Sequence, residues 1–434
     1  MFQAQQSRHL NHSLSNTKLL FAVSRFTFAV SHFTLFTFPP PQFAVSPYHT
    51  YFCCMLKKIL LLLLPVFLCC NSYAQTDSSH LRISLLTCGT GPEIWETFGH
   101  TAVRVVDSAA GTDDVFNYGT FNGFEDDFEM KFMRGKLLYY VSGYATVAFM
   151  REYAAAHRKV EEQVLLFTGP QKKEVYEFLR WNALPANRDY KYDFLFDNCA
   201  TRIRDVFPKS LGTSFKFGNA LPAAPLSFRQ IINRYLYQVH FERFGINLLL
   251  GSKVDKQMTN EQIMFLPDYL RDGVAGARVE GHAVAAPTVV LLDGAAPQPA
   301  GVNYMLLLTI VLALLTIAGL FVPGLHILGR VMTILLLLIT GLLGCLMLFM
   351  WLGTDHQACQ DNFNVLWALP TNLLLVFTRK KGRGRYAVIA IVFIIVSLLL
   401  HVCKVQGLPL LELSPLLLAL LCVYGTIYKR TKTT

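Results

Sequence analysis

Residues 304–322 read YMLLLTIVLALLTIAGLFV, nineteen consecutive residues without a charged side chain. A helix of this length and composition can cross the hydrocarbon core of a bilayer, which is about 30 Å thick. Similar apolar runs follow at 331–352, 363–378, 386–403 and 408–428. The run at 363–378 is shorter and contains Pro370, so we expect either a tilted span or a re-entrant segment packed on protein. The sequence therefore predicts an all-α transmembrane bundle of about five helices over residues 301–434.

Basic residues are distributed unevenly around these runs. The loops assigned to the cytoplasm contain nine Lys or Arg residues, whereas the loops assigned to the other side contain only Lys404. Loops rich in Lys and Arg stay in the cytoplasm, so the bias predicts that the residues preceding the bundle lie outside the cytoplasm. The net charge of +10 follows this flanking pattern rather than one face of a folded domain. It therefore favours a membrane protein without a nucleic-acid partner.

The N-terminal region contains a secretory signal pattern. Residues 55–74 combine a Met-Leu-Lys-Lys start, an apolar run and Ser72-Tyr73-Ala74, which predicts a signal peptide cleaved after Ala74. Residues 1–54 contain no Asp or Glu and repeat Phe-Ala-Val-Ser three times. Because a signal peptide begins near its initiator, we expect Met55 to be the start and 1–54 to be a mis-assigned extension. A real N-terminal extension is the alternative.

Residues 75–300 are predicted to form an exported α+β domain. Strand patterns occupy 82–88, 101–107, 115–119 and 159–167, helical patterns occupy 145–156, 170–180 and 200–207, and an extended aromatic segment occupies 190–196. The strands on either side of 108–112 are predicted to form a hairpin, and Pro208 is expected to end the last helix. The stretches 285–287 and 295–299 are rich in Ala and Pro, which is typical of a linker. Interleaved strands and helices predict the α+β class.

Two motifs carry residues suited to nucleophilic catalysis. His100 lies in Phe98-Gly99-His100-Thr101, where a loop enters a strand and Gly99 is expected to leave space beside the imidazole. Cys199 follows an aromatic segment at the predicted start of a helix. The positive end of a helix lowers the pKa of a thiol and favours the thiolate, and a nearby imidazole completes the activation. The same backbone N–H groups can bind an oxyanion.

Other interpretations of these residues stay open on sequence alone. A histidine before a strand or a buried cysteine can be purely structural, and Cys88 could form a disulfide with Cys199 outside the cytoplasm. A membrane-tethered cysteine amidase or peptidase of the cell envelope would use the same Cys199 and His100 with water as the acceptor. A non-enzymatic membrane assembly module would need neither residue as a reactive group.

The order of the two motifs resembles that of circularly permuted papain-like enzymes, in which the His strand precedes the Asn-Cys helix. Lecithin:retinol acyltransferase-like and NlpC-type enzymes belong to this group. Residues 98–105, 117–121 and 197–205, followed by several C-terminal spans, more closely resemble the Lnb family of bacterial lipoprotein N-acyltransferases. The resemblance covers residues 81–208 and extends in architecture through the spans.

The resemblance implies acyl transfer through a thioester. Cys199 would attack an acyl ester of a membrane phospholipid, His100 would move the protons, and the α-amine of a diacylglyceryl-cysteine on a lipoprotein would accept the chain. Asn117 is expected on the strand paired with the His100 strand, where it could orient the imidazole, with Tyr118 as the alternative. No cofactor or metal is expected. The protein would lie in the bacterial inner membrane with residues 75–300 in the periplasm.

Further polar residues are expected near the site. Asn198 precedes the nucleophile and is expected to bind substrate or support the catalytic residues. Asp355 and His356 lie in the outside loop between the second and third spans, where they could bind a phospholipid head group or a lipoprotein amine. A solvated turn is the alternative for this loop. Glu412 lies near the outer end of the last span, either as a functional intramembrane acid or as a side chain that reaches the interface.

Overall fold

A computed structural model describes residues 79–123, 127–296, 299–377 and 382–432. The predicted signal segment 55–74, with its Met55 start, and the extension 1–54 lie outside these ranges. The described part of the chain has a sheet-rich domain followed by a region of apolar helices.

Among the described residues the strands of the sheet-rich domain are β1 Leu81–Cys88, β2 His100–Asp107, β3 Thr112–Phe121, β4 Leu138–Ala145, β5 Val160–Val164, β6 Asp189–Lys191, β7 Phe215–Lys216, β8 Arg278–Val279, β9 His282–Ala283 and β10 Val289–Leu292. Seven of these strands form one antiparallel sheet in the spatial order β10-β5-β1-β2-β3-β4-β6. The predicted hairpin is present as β2 and β3. Strand β10 lies along the chain between the two stretches predicted as a linker, and it pairs with β5 in the sheet. The predicted linker is therefore partly a strand. The β1–β2 register places His100 directly opposite Cys88 at the end of the sheet.

Both faces of the central strands are covered, which is why β1 is buried at every residue except Arg82. Successive side chains of a strand point to opposite faces. Ile83 and Leu85 pack into the larger core, whereas Leu86 and Cys88 pack on the other side with Phe149 and its neighbours. The sheet therefore separates two cores, and the helix that begins at Cys199 lies on the side of the larger one.

The domain contains eight described α-helices, several of which begin with a capping box. They are α1 Phe128–Met133, α2 Thr146–Ala155, α3 Gly169–Asn182, α4 Cys199–Leu211, α5 Phe228–Tyr235, α6 His240–Leu249, α7 Asn260–Ile263 and α8 Pro267–Ala275. The prediction that Pro208 ends α4 is wrong, because the helix continues to Leu211. Its C-terminal cap is Gly212, which has φ +67°. A proline inside a helix costs about 3 kcal/mol, and the buried apolar face of α4 outweighs that cost.

Four helices in the described ranges are long and apolar enough to cross a membrane: α9 Tyr304–Phe321, α10 His326–Leu352, α12 Arg383–Val402 and α13 Leu410–Lys432. The remaining predicted span, 363–378, is instead a 3-10 turn at Phe363–Leu366 followed by the short helix α11 at Asn372–Phe377. Pro370 lies between the two and has no N–H to donate, so a continuous helix is interrupted. Four of the five predicted spans are therefore long helices, and 363–378 is a broken segment packed on protein, the second of its two expected forms.

Polar side chains hold the broken segment inside the bundle. Asn372 donates from Nδ2 to Thr340 Oγ1 at 2.9 Å and accepts at Oδ1 from the hydroxyls of Tyr386 and Tyr424, at 2.8 Å each. Irregular backbone is tolerated at membrane depth where it is buried in protein. These hydrogen bonds explain how the segment stays inside the bundle without forming a full helix.

Helix α6 of the sheet-rich domain ends against the membrane region. Asn362 and Asn364, at the start of the broken segment, donate from their amides to the carbonyl of Leu248 at 2.8 and 3.1 Å. The last carbonyls of a helix lack partners within the helix, so the two asparagines supply a C-terminal cap. Both asparagines are fully buried, so the two parts of the chain share one interior at this junction.

An ion pair also joins α6 to the last membrane helix. Arg243 Nη2 lies 2.6 Å from Oε1 of Glu412, and Asn303 Nδ2 donates to the same oxygen at 2.9 Å. The Glu412 side chain is only 3% exposed. Glu412 is thus a buried acid paired with Arg243 and Asn303, and its side chain does not extend into solvent.

Candidate active site

His100 begins β2 after a tight turn at Gly99. Gly99 has φ +73°, and a Cβ built on it would lie 2.7 Å from the carbonyl oxygen of Cys88. A side chain at this position would be strained and would collide with backbone. The expectation that Gly99 leaves space beside the imidazole is therefore wrong, because its missing side chain makes room for the neighbouring strand.

Gly119 provides the open space beside the imidazole. It lies at a bulge in β3 between Tyr118 and Thr120, with φ +103°. A Cβ built on Gly119 would lie 3.7 Å from Cε1 of His100 and 4.0 Å from Cβ of Cys199. Gly119 lies within residues 117–121, but the sequence alone indicates no role for it, since a bulge cannot be located before the strand register is known.

Cys199 is the first residue of α4, and Asn198 fixes the loop before it. The Asn198 Oδ1 accepts from the N–H of Thr201 at 2.9 Å, and the Thr201 hydroxyl accepts from the N–H of Asn198 at 2.8 Å. The Asn198 Nδ2 donates to the carbonyls of Phe194 and Phe265 at 2.7 and 2.9 Å. Both polar atoms of the Asn198 side chain are thus hydrogen bonded within the protein and the residue is buried, so it supports the loop of the nucleophile.

Asn117 is hydrogen bonded to His100, with 2.6 Å between Oδ1 and Nε2. The Asn117 Nδ2 donates in turn to the hydroxyl of Tyr144 at 3.1 Å. A proton on Nε2 of His100 leaves the other ring nitrogen free to face the sulfur of Cys199. Tyr118 points to the opposite side of β3, where its buried hydroxyl donates to Oδ1 of Asn182 at 2.8 Å. Strand alternation therefore places Asn117, and not Tyr118, at the imidazole.

The surroundings of Cys199 and His100 favour a thiolate–imidazolium pair. Burial alone raises the pKa of the Cys199 thiol, but the charge of His100, its hydrogen bond and the N–H groups of Thr101 and Ala200 lower that pKa below its ordinary value. Burial alone lowers the pKa of His100, but the Cys199 thiolate and the hydrogen bonds to Cys199 and Asn117 raise it. The arrangement is suited to nucleophilic attack by sulfur.

Cys88 is a different kind of cysteine, although it lies opposite His100 in the sheet. Both Cys88 and Cys199 are free thiols. Burial is the largest influence on Cys88 and raises the pKa of its thiol to about 12, despite a hydrogen bond with Tyr153. The disulfide considered from the sequence is therefore not present, and the two sulfurs should differ strongly in reactivity.

We expect iodoacetamide to modify Cys199 well before Cys88 at mildly acidic pH. The pKa of Cys199 is lowered and that of Cys88 is raised, and only a thiolate reacts quickly. Timed alkylation of the full-length protein followed by peptide mass spectrometry measures both rates. His100→Ala should move the alkylation of Cys199 to higher pH, because the imidazolium is lost. Equal protection of both thiols, relieved only by a reductant, would instead identify a disulfide.

Asp355 and His356 do not join the Cys199 site. Asp355 Oδ2 lies 2.6 Å from Nζ of Lys191, and its N–H donates to the carbonyl of Arg134 at 3.0 Å. His356 Nε2 lies 3.2 Å from the carbonyl oxygen of Phe132. The loop between α10 and the broken segment is thus held on the surface of the sheet-rich domain. Across the described residues, no group of three or more His, Cys, Asp or Glu side chains could hold a metal ion.

Two family models match the chain in sequence order. The Lnb N-terminal periplasmic domain matches residues 70–234, and the Lnb transmembrane domain matches residues 293–434. No curated protein and no solved structure matches the chain. The two matched regions together cover more than half of its length, and they agree with the sheet-rich domain and the apolar helices described above. The chain is therefore a multi-pass membrane protein with a periplasmic N-terminal domain, and it belongs to the Lnb family.

Proposed function

We propose that this protein is a lipoprotein N-acyltransferase of the bacterial inner membrane, with a circularly permuted papain-like domain. Cys199 is the nucleophile, His100 the acid and base, and Asn117 orients the imidazole. The observation that carries the proposal is the hydrogen-bonded Cys199–His100–Asn117 arrangement in a domain fixed to a membrane bundle. The strand of His100 precedes the helix of Cys199 along the chain, which is the order expected of the permuted fold.

The first half-reaction forms a thioester. The Cys199 thiolate attacks the carbonyl carbon of a phospholipid ester, and N–H groups near the start of α4 would stabilise the oxyanion. The C–S bond forms and the ester C–O bond breaks. The His100 imidazolium donates its proton to the departing glycerol oxygen, which yields a lysophospholipid and leaves His100 neutral.

The second half-reaction transfers the acyl chain to nitrogen. The neutral α-amine of a diacylglyceryl-cysteine attacks the thioester carbonyl, and His100 accepts a proton from the nitrogen. The amide C–N bond forms as the C–S bond breaks. Cys199 leaves as the thiolate, so the starting ion pair is restored without any cofactor. The membrane bundle favours this acceptor, because it would hold the site at the bilayer in which both proposed substrates reside.

The direct test uses vesicles containing the full-length protein, a phospholipid with a labelled acyl chain and a diacylated lipoprotein. We expect the lipoprotein to gain one labelled chain at its N-terminus, in equal amount to the lysophospholipid formed, as measured by mass spectrometry. Release of free fatty acid without acylation of the amine would replace the proposal with a hydrolase. A wild-type protein that forms neither product would reject both enzymes.

A further inference from the structure

A row of aromatic rings leads away from Cys199 across the periplasmic domain. Asp193 and Asp197 are bridged by their backbones, which brings Tyr192 next to the loop that holds Cys199. The Tyr192 ring stacks on Tyr139 with 4.2 Å between the ring centroids. Both rings are partly buried and pack against the larger core, so the row begins beside the loop that holds the reactive sulfur.

The row continues onto an exposed apolar surface. The centroid of Tyr139 lies 5.2 Å from that of Phe121, Phe121 lies 5.6 Å from Phe128, and Phe128 lies 6.4 Å from Phe132. Phe121 is 45% exposed and Phe132 is 53% exposed. We call these five residues, Tyr192, Tyr139, Phe121, Phe128 and Phe132, the aromatic strip. Large apolar side chains left at a surface in a contiguous group mark an interaction site.

The far end of the aromatic strip lies close to the membrane boundary. The carbonyl of Phe132 is within 3.2 Å of Nε2 of His356, and the carbonyl of Arg134 accepts from the N–H of Asp355 at 3.0 Å. Helix α10 ends at Leu352, only a few residues earlier. The strip therefore connects the reactive sulfur with the level at which a membrane-crossing helix leaves the bilayer.

Basic residues surround the membrane end of the strip. Lys131, Arg134 and Lys136 lie in and just after α1, and the side chains of Arg134 and Lys136 are exposed. A phosphodiester head group carries negative charge and is attracted to such a cluster near a membrane surface. These basic residues are therefore suited to hold this end of the strip at the level of the lipid head groups.

We propose that the aromatic strip binds the acyl chain of the phospholipid donor, with the ester at Cys199 and the methyl end of the chain toward Phe132. The proposal rests on the proposed acyl transfer and names the path by which the donor reaches the sulfur. The acyl chain would exchange contact with lipid for contact with aromatic rings, which keeps it out of water. The strip thus selects donors with long chains.

Photo-crosslinking tests this binding without requiring turnover. Full-length Cys199→Ala protein in vesicles is irradiated with a phospholipid that carries a diazirine in its acyl chain, and labelled peptides are mapped. We expect labelling of residues 121–139 to fall about tenfold in the additional variant Phe132→Ser. Trp181→Ser is the matched control, because Trp181 is 54% exposed on α3 outside the strip. Labelling confined to the membrane helices, or reduced equally by both substitutions, overturns the proposal.

Chain-length selectivity provides a second measurement on the active enzyme. The ratio of kcat/KM for a sixteen-carbon donor over a six-carbon donor should fall about tenfold in Phe121→Ser, while Trp181→Ser keeps the wild-type ratio. An unaltered ratio in Phe121→Ser contradicts a role of the strip in chain binding. If the wild type forms no thioester at all, the proposed function fails, and the crosslinking result still decides whether the strip binds lipid.

Discussion

His100→Ala is expected to lower the rate of thioester formation by about 10²–10⁴-fold, the usual loss when a general acid–base is removed. The imidazolium that lowers the pKa of Cys199 would be gone, and no group would protonate the departing oxygen. Cys199→Ser should be at least as severe, because a serine hydroxyl has no comparable anion at neutral pH. The measurement is the labelled acyl chain on the enzyme and on the lipoprotein, in vesicles that contain each full-length variant.

Matched variants separate a chemical effect from a folding effect. His282→Ala changes an exposed histidine away from the site and should keep wild-type activity. Asn117→Ala should be milder than His100→Ala, because Asn117 would act on the reaction only by orienting the imidazole. All four variants, His100→Ala, Cys199→Ser, Asn117→Ala and His282→Ala, should unfold at temperatures close to that of the wild type. Wild-type rates in Cys199→Ser would refute the thioester mechanism outright.

Arg243→Met is expected to destabilise the protein by about 3 kcal/mol, within the range for breaking a buried ion pair. Glu412, with its 3% exposed side chain, would keep only Asn303 as a partner. For a domain of this size the loss corresponds to a decrease of about 5–10 °C in the unfolding temperature. Thermal unfolding of the full-length protein in detergent measures the shift.

Two controls accompany this substitution. Lys173→Met breaks an exposed pair with Glu177, so its unfolding temperature should change by no more than about 1–2 °C, since such pairs contribute little. The double variant Arg243→Met/Glu412→Leu should recover most of the lost stability, because apolar replacement of a buried pair is often neutral. A wild-type unfolding temperature for Arg243→Met alone would show that the pair does not secure the junction.

Local patterns in the sequence predicted much of the periplasmic domain. The hairpin around residues 108–112 and the helix predicted from residue 170 follow from local patterns, and both are present, with the helix beginning at Gly169. The end of α4 did not follow from Pro208, because tertiary burial of the helix face outweighs the local penalty. The broken segment shows the same limit, since side-chain hydrogen bonds from Thr340, Tyr386 and Tyr424 cannot be read from the segment itself.

The site was predictable as far as residue types and their order along the chain allow. The structure brings together Cys199, His100 and Asn117, the three residues selected from the two motifs and the paired strand. The choice between Asn117 and Tyr118 needed the register, and the relevant glycine proved to be Gly119 rather than Gly99. Asp355 and His356 instead contact Lys191 and the carbonyls of Arg134 and Phe132, and such long-range contacts of a loop leave no local signal.

The asparagine cap on α6 has a kinetic consequence for the proposed reaction. Because Asn362 and Asn364 fix this helix to the membrane region with buried hydrogen bonds, the periplasmic domain has no free hinge there with which to rise or tilt toward one lipid and then the other. A stationary site that forms a thioester binds the phospholipid donor first and the lipoprotein acceptor second, at the same position. This order is ping-pong turnover. The spent lysophospholipid has to diffuse away laterally before the lipoprotein can occupy the same position, so it should act as a competitive product inhibitor against the lipoprotein.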